Sequence, residues 1–423
     1  MNEEHLYPKY RYVMGVIVIL CASLTVFSLM VTSPLLTRLS ADFSVDMALA
    51  GYASTLHVIF MGIFMFIGPV IIGYIDIKRT QLLGVAIIAA GLIMAWKAAS
   101  FPMLLFARAI TGVGHGISGA CTNSVIAAWF PPREKSMMIT INNLGIVAVS
   151  AIGYAAVVPL CHALGDSWRG VMLILAIVMM GIWLIWAILG RDNRAMNAYI
   201  KEKNTREGKR TSAFSGIGEA LSRSDIWLLS LYMGIATVAA NGISTYLPQF
   251  LQNARGYSDV AASATVGVTT AIGAAGTFLG GIVTTWLGLR KPIILPFIFA
   301  TALFAALALI SPAPQAIAVM LFLYTFVTNF RSTASWTIAT EVDGVTPALA
   351  SGASAMIYGV GFIGTLAVAP MFGLGERFLG NAGAMLIFIP LFLIAAVISC
   401  FIPETGPRKG TPLRFQWKAS KKD

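Results

Sequence analysis

The sequence predicts an all-α membrane protein in which twelve transmembrane helices form two six-helix bundles related by pseudo-symmetry. Its composition is the first reason: 57% of the 423 residues are hydrophobic and 11% are charged, whereas a soluble globular protein carries about 25% charged residues. The second reason is that twelve apolar segments have about the 20 residues needed to span a bilayer. The third is that the second six segments repeat features of the first six.

One long polar stretch divides the spans into two groups of six. Residues 191–225 form this linker between an N-terminal bundle (residues 1–190) and a C-terminal bundle (residues 226–402), and a tail (residues 403–423) follows. The linker suits either a helix on the membrane surface or a solvated connection. We place the spans at residues 12–37, 47–75, 80–100, 102–130, 137–164, 169–190, 226–252, 259–288, 291–310, 315–340, 347–374 and 381–402.

The basic residues predict how the chain is oriented. With both termini on one side, five of the 29 Lys and Arg residues lie at or beyond the opposite face, and the other 22 that are not deep in a span lie at or beyond the face of the termini. Arg108 and Arg331 are the two that lie deep within spans. The positive-inside rule then predicts cytoplasmic termini in a cytoplasmic (inner) membrane protein. The net charge of +11 is explained by topology, so it does not indicate binding to nucleic acid.

Several positions recur in the two halves at a nearly constant offset. Pro34 corresponds to Pro248, Asp46 to Asp259, and the pair Lys78-Arg79 to Arg290-Lys291, with offsets between 212 and 214 residues. Repeated halves of six spans are typical of secondary transporters, whose substrate site lies near the bilayer midplane where the halves meet.

Two loop motifs occupy matching places in this repeat, and the fourth span contains a third motif. The loop after the second span contains Gly73, Asp76, Lys78 and Arg79; the loop after the eighth contains Gly281, Thr285, Gly288, Arg290 and Lys291; and the fourth span contains Arg108, Gly112, Gly114, His115 and Gly116.

Through these motifs the chain resembles the major facilitator superfamily over its whole length. The resemblance implies alternating access, with Asp76 latching the cytoplasmic gate together with Lys78, Arg79, Arg290 and Lys291. The first loop motif is one residue short and the second has Thr285 in place of the acid. The fourth-span motif and Tyr246-Leu-Pro248 also resemble the organic-anion branches, cyanate-like or oxalate/formate-like. The nitrate branch uses arginines in the second and eighth spans, which have none here.

Arg331 is the most informative single residue. The stretch 316–340 contains no other charged residue, and every Asp and Glu of the chain lies at the end of an apolar segment or beyond it. A cation within a span is by default a functional residue, and its partner here can be an anionic substrate. Arg331 lies roughly 24 Å into its helix at 1.5 Å per residue, which favours the central cavity. If the helix ends early, Arg331 instead pairs with Glu341 or Asp343 at the cytoplasmic gate.

Each of the other polar residues within spans can have either a functional or a structural role. The family resemblance makes Arg108 a coupling or substrate-orienting residue, but it can equally bond backbone carbonyls of its neighbours. Histidine changes charge near neutral pH, so His57 and His115 are candidates for proton coupling, although each can be a satisfied core residue. The remaining candidates line the cavity or bond other helices: Asn241, Tyr246, Asn329 and Tyr358.

These observations predict a secondary transporter of a small organic anion, with a carboxylate as the favoured class. Coupling is either proton symport or anion exchange. Efflux of neutral or amphipathic hydrophobic compounds is the alternative, and a receptor or scaffold is a third reading. No catalytic triad, nucleotide-binding loop or metal-ligand cluster is evident, so we expect neither an enzyme nor a cofactor. The expected partners are an anionic substrate, protons and the lipid bilayer, with the chain acting as a monomer.

Overall fold

The computed structural model describes residues 7–193, 195–196, 217–341 and 347–406, and these residues form helices and turns without a strand. Most of the predicted linker, Asp343 and most of the predicted tail lie outside the described residues. The backbones of Glu341 and Tyr358 are described within helices, but their side chains are not.

Fourteen α-helices are numbered here in chain order. The N-terminal half contains α1 Arg11–Met30, α2 Leu36–Phe43, α3 Met47–Trp96, α4 Phe101–Trp129, α5 Pro132–Ala163 and α6 Trp168–Leu189. The C-terminal half contains α7 Ile217–Ser222, α8 Ser224–Arg255, α9 Asp259–Leu287, α10 Lys291–Ile310, α11 Pro314–Glu341, α12 Pro347–Gly364, α13 Val368–Gly383 and α14 Ile389–Phe401.

Ten helical stretches of the described chain are long and apolar enough to cross a membrane. One of them, α3, has 50 residues, about 75 Å of helix and more than twice the roughly 30 Å of a bilayer core. Asp76 interrupts it with φ 70° and ψ 163°, so α3 contains two spans. The helix α4, with 29 residues, is not among the ten stretches and adds one more span. Counting α3 as two spans, the total is twelve, as predicted from the sequence.

Three predicted spans are interrupted, the twelfth by the 3₁₀ turn Ala384–Phe388 that precedes α14. The first continues to Phe43 through a 3₁₀ turn, Ser33–Leu35, because Pro34 lacks the N–H that a continuous helix requires. The eleventh divides into α12 and α13 at the turn Thr365–Ala367, and Pro370 occupies the first turn of α13, where no N–H is needed. The sequence prediction placed a single helix in each of these regions.

The helices of each half pack mainly on one another. In the N-terminal half α3 contacts α4 and α6, and in the C-terminal half α11 contacts α9 and α10. The halves meet where α5 contacts α9, where α3 contacts α12 and α13, and where the turn Ser33–Leu35 contacts α8. We call the end of the bundle that contains residues 38, 162 and 259 the Arg38 end, and the opposite end, with residues 78, 192, 290 and 404, the Lys78 end.

The internal repeat extends to hydrogen bonds at the Lys78 end. The Asp192 carboxylate accepts a bond of 3.0 Å from the backbone N–H of Lys78, and Glu404 accepts bonds of 2.7 and 3.1 Å from those of Arg290 and Lys291. Lys78 and Arg290 are 212 positions apart, as are Asp192 and Glu404. Each half therefore uses an acid that follows its sixth span to cap the start of its third span.

Candidate functional site

A cavity of about 380 Å³ lies within the C-terminal half, between α8, α9 and α11, and Tyr154 of α5 closes it from the other half. Most of its polar lining consists of hydroxyl and amide groups. Arg331 is the single charged side chain among the described lining residues. Three of the predicted site residues line the cavity: Asn241, Asn329 and Arg331. The lining residues that carry a hydroxyl group include Thr237, Ser244, Thr269, Thr270, Thr325, Thr328 and Ser332.

Arg331 is deep in α11 and is held by two hydroxyl groups. The helix continues to Glu341, ten residues or about 15 Å further, so it does not end early as the gate alternative requires. The Arg331 Nη1 donates to Tyr232 Oη and lies 3.5 Å from Ser335 Oγ. Its side chain is 4% exposed, and its Nε is buried without a hydrogen-bond partner among the described residues.

This arrangement leaves Arg331 with unused capacity to bind an anion. A guanidinium group has five N–H donors in a planar fork that matches a carboxylate. Tyr232 and Ser335 fix one side of that fork, while an unpaired buried donor such as Nε costs free energy until it finds an acceptor. Arg331 is therefore both oriented and incompletely bonded, which is the condition for a preorganised anion site.

The hydroxyl groups around Arg331 use their hydrogens within their own helices. Thr325 donates to Leu321 O at 2.9 Å, Thr328 to Tyr324 O at 2.6 Å, and Thr270 to Val266 O at 2.8 Å. Because a hydroxyl oxygen retains lone pairs after donating its hydrogen, these groups can accept hydrogen bonds from a ligand. The cavity thus combines one cation with several acceptors for ligand hydroxyl groups.

Arg108 lies elsewhere, fully buried in the N-terminal half. It donates 3.0 Å to Ala53 O, 2.9 Å to Ser28 O and 3.4 Å to Leu29 O, and it is absent from the described lining of the cavity. This geometry matches the second reading given above, an arginine bonded to backbone carbonyls of neighbouring helices. A substrate-binding role for Arg108 is therefore not supported by its position.

His57 and His115 form a buried pair between α3 and α4. Their Nε2 and Nδ1 atoms are 2.9 Å apart, so one ring donates and the other accepts. The Nδ1 of His57 has no partner among the described residues. The backbones can approach this closely because Gly112 of α4 faces His57, where an added Cβ would lie 2.4 Å from the His57 carbonyl oxygen. Both histidines stand out in the sequence, but their pairing depends on the packing of the two helices.

Tyr246 lies in the contact between the halves and is absent from the described cavity lining. Its hydroxyl donates to Ala48 O at 3.1 Å, and its ring stacks on Phe372 with centroids 3.7 Å apart. Nearby, Ser33 Oγ donates to Thr245 O at 2.7 Å. These contacts close the Arg38 end, so Tyr246 holds the two halves together there. Tyr358 is in α12, and its side chain lies outside the described part.

The predicted gate residues at the Lys78 end make contacts within their own halves. Lys78 Nζ donates to Ala187 O at 2.9 Å, Arg290 Nη1 to Thr284 O at 2.7 Å, and Lys291 Nζ to Cys400 O at 2.8 Å. Asp76 provides the bend in α3, and Arg79 follows it in the same helix. The predicted latch between the halves therefore remains a prediction.

An ionic cluster that the sequence analysis missed joins the halves at the Arg38 end. Arg38 Nη2 lies 2.8 Å from Asp259 Oδ2 and 3.0 Å from Asp166 Oδ1. His162 lies 2.8 Å from the same Asp259 oxygen and 3.0 Å from Asp166. Asp259 was identified through the repeat, and Arg38 only as one of the five basic residues counted on the side opposite the termini. No sequence signal pairs them, since they are 221 residues apart.

Comparisons with known proteins identify relatives of this chain. The family model described as Major Facilitator Superfamily matches residues 18–368. The chain is 29% identical over 36% of its length to the probable anion transporter 4, chloroplastic, of Arabidopsis thaliana, 28% over 44% to the hexuronate transporter of Bacillus subtilis, and 22% over 56% to the probable L-galactonate transporter of Escherichia coli. The matches span 29%, 43% and 55% of those proteins, about half of their length or less.

Solved structures share the fold. A bacterial homologue of the human lysosomal transporter Spinster, in an inward-facing and occupied conformation, aligns with a TM-score of 0.69 at 19% identity, covering 93% of this chain and 97% of that one. The xylose transporter XylE of Escherichia coli, in a partially occluded inward-open conformation, aligns with a TM-score of 0.73 at 14% identity, covering 93% and 100%.

Proposed function

This chain belongs to the Major Facilitator Superfamily, and on that premise we propose that it is a secondary transporter that moves a small organic anion by alternating access. A carboxylate is the favoured class of substrate. Relatives named as anion, hexuronate and L-galactonate transporters support an acidic substrate. The basic residues support a position in the cytoplasmic membrane with both termini and the Lys78 end in the cytoplasm.

The observation that carries the proposal is the incomplete bonding of Arg331. It is the one charged residue in the described cavity lining, and its Nε lacks a partner there. A substrate carboxylate would complete its hydrogen bonds bidentately. Asn241 and Asn329 supply amides beside it, and the threonine hydroxyl oxygens accept from the substrate. One cation with many acceptors suits a monocarboxylate that carries hydroxyl groups.

The remaining roles follow from the positions of the other candidates. The buried His57–His115 pair is the proposed site of proton coupling, and anion exchange without protons is the alternative. Asp76, Lys78, Arg79, Arg290 and Lys291 are proposed to latch the cytoplasmic gate when the transporter opens to the outside. Efflux of neutral hydrophobic compounds is disfavoured by a cavity that places a buried arginine among hydroxyl groups.

The test uses purified protein in liposomes and the variant Arg331→Lys. Transport of labelled hydroxylated monocarboxylates, plain monocarboxylates, dicarboxylates and a neutral sugar would be measured. We expect hydroxylated monocarboxylates to be transported best, and the variant to lose at least about tenfold, because an ammonium group cannot reproduce a bidentate bond. Arg377→Lys, at an exposed position, is the matched control and should behave as wild type.

Two outcomes would count against this proposal. Unchanged transport of every anion by the Arg331→Lys variant would contradict the clamp role, and preference for neutral compounds would support the efflux alternative. The same vesicles with an imposed pH gradient test the coupling. If the gradient has no effect on transport, coupling through His57 and His115 is wrong and exchange is preferred.

A further inference from the structure

The ionic cluster at the Arg38 end, which we call the outer cluster, consists of Arg38, His162, Asp166 and Asp259. The first three belong to the N-terminal half, and Asp259 begins α9 in the C-terminal half. Asp259 Oδ1 accepts the backbone N–H of Val260 at 2.8 Å. Its other oxygen, Oδ2, therefore forms the bridge between the halves, to Arg38 and to His162.

His162 has a carboxylate oxygen at each of its ring nitrogens. Its Nδ1 lies 3.0 Å from Asp166 Oδ1 and its Nε2 lies 2.8 Å from Asp259 Oδ2. A neutral imidazole has one N–H donor and one acceptor nitrogen, whereas both nitrogens are donors in the imidazolium ion. Carboxylates are acceptors, so both contacts are attractive only when His162 carries two protons. Nε2 then donates to Asp259 Oδ2, Nδ1 lies at ion-pair distance from Asp166 Oδ1, and Arg38 Nη2 lies 3.4 Å from Nε2.

The charges of the cluster lead to the same conclusion. With His162 protonated, two cations face two carboxylates, and Arg38 and His162 share the bridging oxygen of Asp259. When His162 loses a proton, the cluster has one excess negative charge, and a nitrogen lone pair faces a carboxylate oxygen at hydrogen-bond distance. Both changes weaken the link between the halves. The groups that face His162 from α2, from the loop after α5 and from α9 are Arg38, Asp166 and Asp259.

We propose that His162 is a proton-binding site that locks the Arg38 end of the transporter in its closed form. Protonation makes His162 attractive to both Asp166 and Asp259 and stabilises the closed end. Deprotonation leaves Arg38 as the sole cation between two carboxylates and favours opening. Since histidine changes charge near neutral pH, the pH at this face sets how often the cavity opens toward it. With the orientation proposed above, this is the external pH.

This site is separate from the proposed coupling pair. His162 lies on the surface at the Arg38 end, with 43% of its side chain exposed, whereas His57 and His115 are buried between α3 and α4. A proton that binds His162 from outside can return there when the gate reopens. The outer cluster therefore controls opening of the gate and does not require that a proton crosses the membrane with the substrate.

The experiment measures opening of the Arg38 end directly, as the distance between two spin labels on the protein. The protein is held in lipid nanodiscs, and no substrate is added. Labels would be attached at Ala41→Cys and Asn253→Cys, exposed positions on the two halves at the Arg38 end, in a Cys400→Ser background because Cys400 is the exposed native cysteine. Between about pH 5.5 and about pH 8, on either side of the ordinary histidine range, we expect the open population to rise about three- to tenfold.

Three variants distinguish this lock from a general effect of pH. His162→Gln should remove the pH response. Asp259→Asn removes the bridging charge and should raise the open population at both pH values. Asp42→Asn is the matched control, because Asp42 pairs with Arg169 at 2.6 Å within one half, and it should respond to pH as wild type does.

The proposal is overturned by either of two results. The first is a wild-type distance distribution that does not change with pH. The second is a His162→Gln variant that responds to pH as strongly as wild type. No substrate is present in this measurement, so its outcome is independent of the Arg331 experiment and of the substrate class.

Discussion

The capacity of Arg331 to bind an anion depends on the groups that orient its guanidinium as well as on its charge. Tyr232 accepts a hydrogen bond from its Nη1, and the Tyr232 Oη lies 2.8 Å from Ser335 Oγ. This small network, all of it buried, sets the orientation of the guanidinium and leaves Nε for a ligand. An arginine without such support would lose side-chain entropy on binding, so preorganisation contributes to affinity.

We predict that Tyr232→Phe weakens substrate binding without unfolding the protein. The variant keeps the ring but loses the acceptor of a charge-assisted hydrogen bond, and we expect the KM for the transported anion to rise about fivefold to tenfold. Tyr74→Phe, at a position that is 85% exposed, should leave KM unchanged. An unchanged KM for Tyr232→Phe would mean that the hydroxyl does not position Arg331.

At the scale of helices, close packing brings the polar groups together. In the C-terminal half, Gly276 and Gly280 of α9 face the backbone of α11, where an added Cβ would lie 2.4 Å from Phe326 O and 2.3 Å from Phe330 O. Phe330 immediately precedes Arg331. Small residues at helix interfaces allow backbones in a membrane to approach closely, so this contact sets the depth and rotation at which Arg331 enters the cavity.

We predict that two adjacent glycines of α9 respond differently to alanine. Gly280→Ala forces α9 away from α11 and should lower the free energy of unfolding by about 1–3 kcal/mol. Gly281→Ala should change it by less than about 0.5 kcal/mol, because its added Cβ would meet Thr333 at an ordinary 3.7 Å. Thermal unfolding in detergent measures both. Equal effects would show that this α9–α11 contact is not tightly packed.

At the scale of the whole molecule, the two halves are joined at the Arg38 end by several kinds of contact. The outer cluster is electrostatic, Ser33 and Thr245 form a hydrogen bond, and Tyr246 packs against α3. At Gly51 of α3, an added Cβ would lie 1.8 Å from the Tyr246 hydroxyl. Because the Tyr246 ring is stacked on Phe372 and fully buried, it has little room to move away.

We predict that Gly51→Val favours the form that is open at the Arg38 end. The added side chain holds Tyr246, and with it α8, away from α3. In the spin-label measurement between positions 41 and 253, the variant should populate longer distances even at about pH 5.5, the lower of the two pH values of the lock experiment. Gly181→Val is the control, since an added Cβ at Gly181 of α6 meets nothing within 4 Å. A distance distribution identical to that of wild type would show that the contact between α3 and α8 accommodates the valine side chain without opening.

The sequence by itself determined the class of molecule, its twelve spans and its family. Lipid imposes the same requirement on each segment separately, since every span must be apolar and must satisfy its own backbone. That requirement is local and can therefore be read from hydropathy, while Asp76 and the repeated basic pairs mark loops between spans. Arg331, His57 and His115 were also identifiable, because a polar group in an apolar segment stands out without knowledge of its neighbours.

Only the tertiary structure decided which of these groups meet. Arg331 and Tyr232 are 99 residues apart, His57 and His115 are 58 apart, and Arg38 and Asp259 are 221 apart. Their contacts depend on the rotation and depth of each helix in the bundle, which are set by packing between helices and not by the hydropathy of one segment. For this reason the sequence left two interpretations open for Arg108 and for Tyr246, both of which lie in helix contacts, and the outer cluster was found only in the folded molecule.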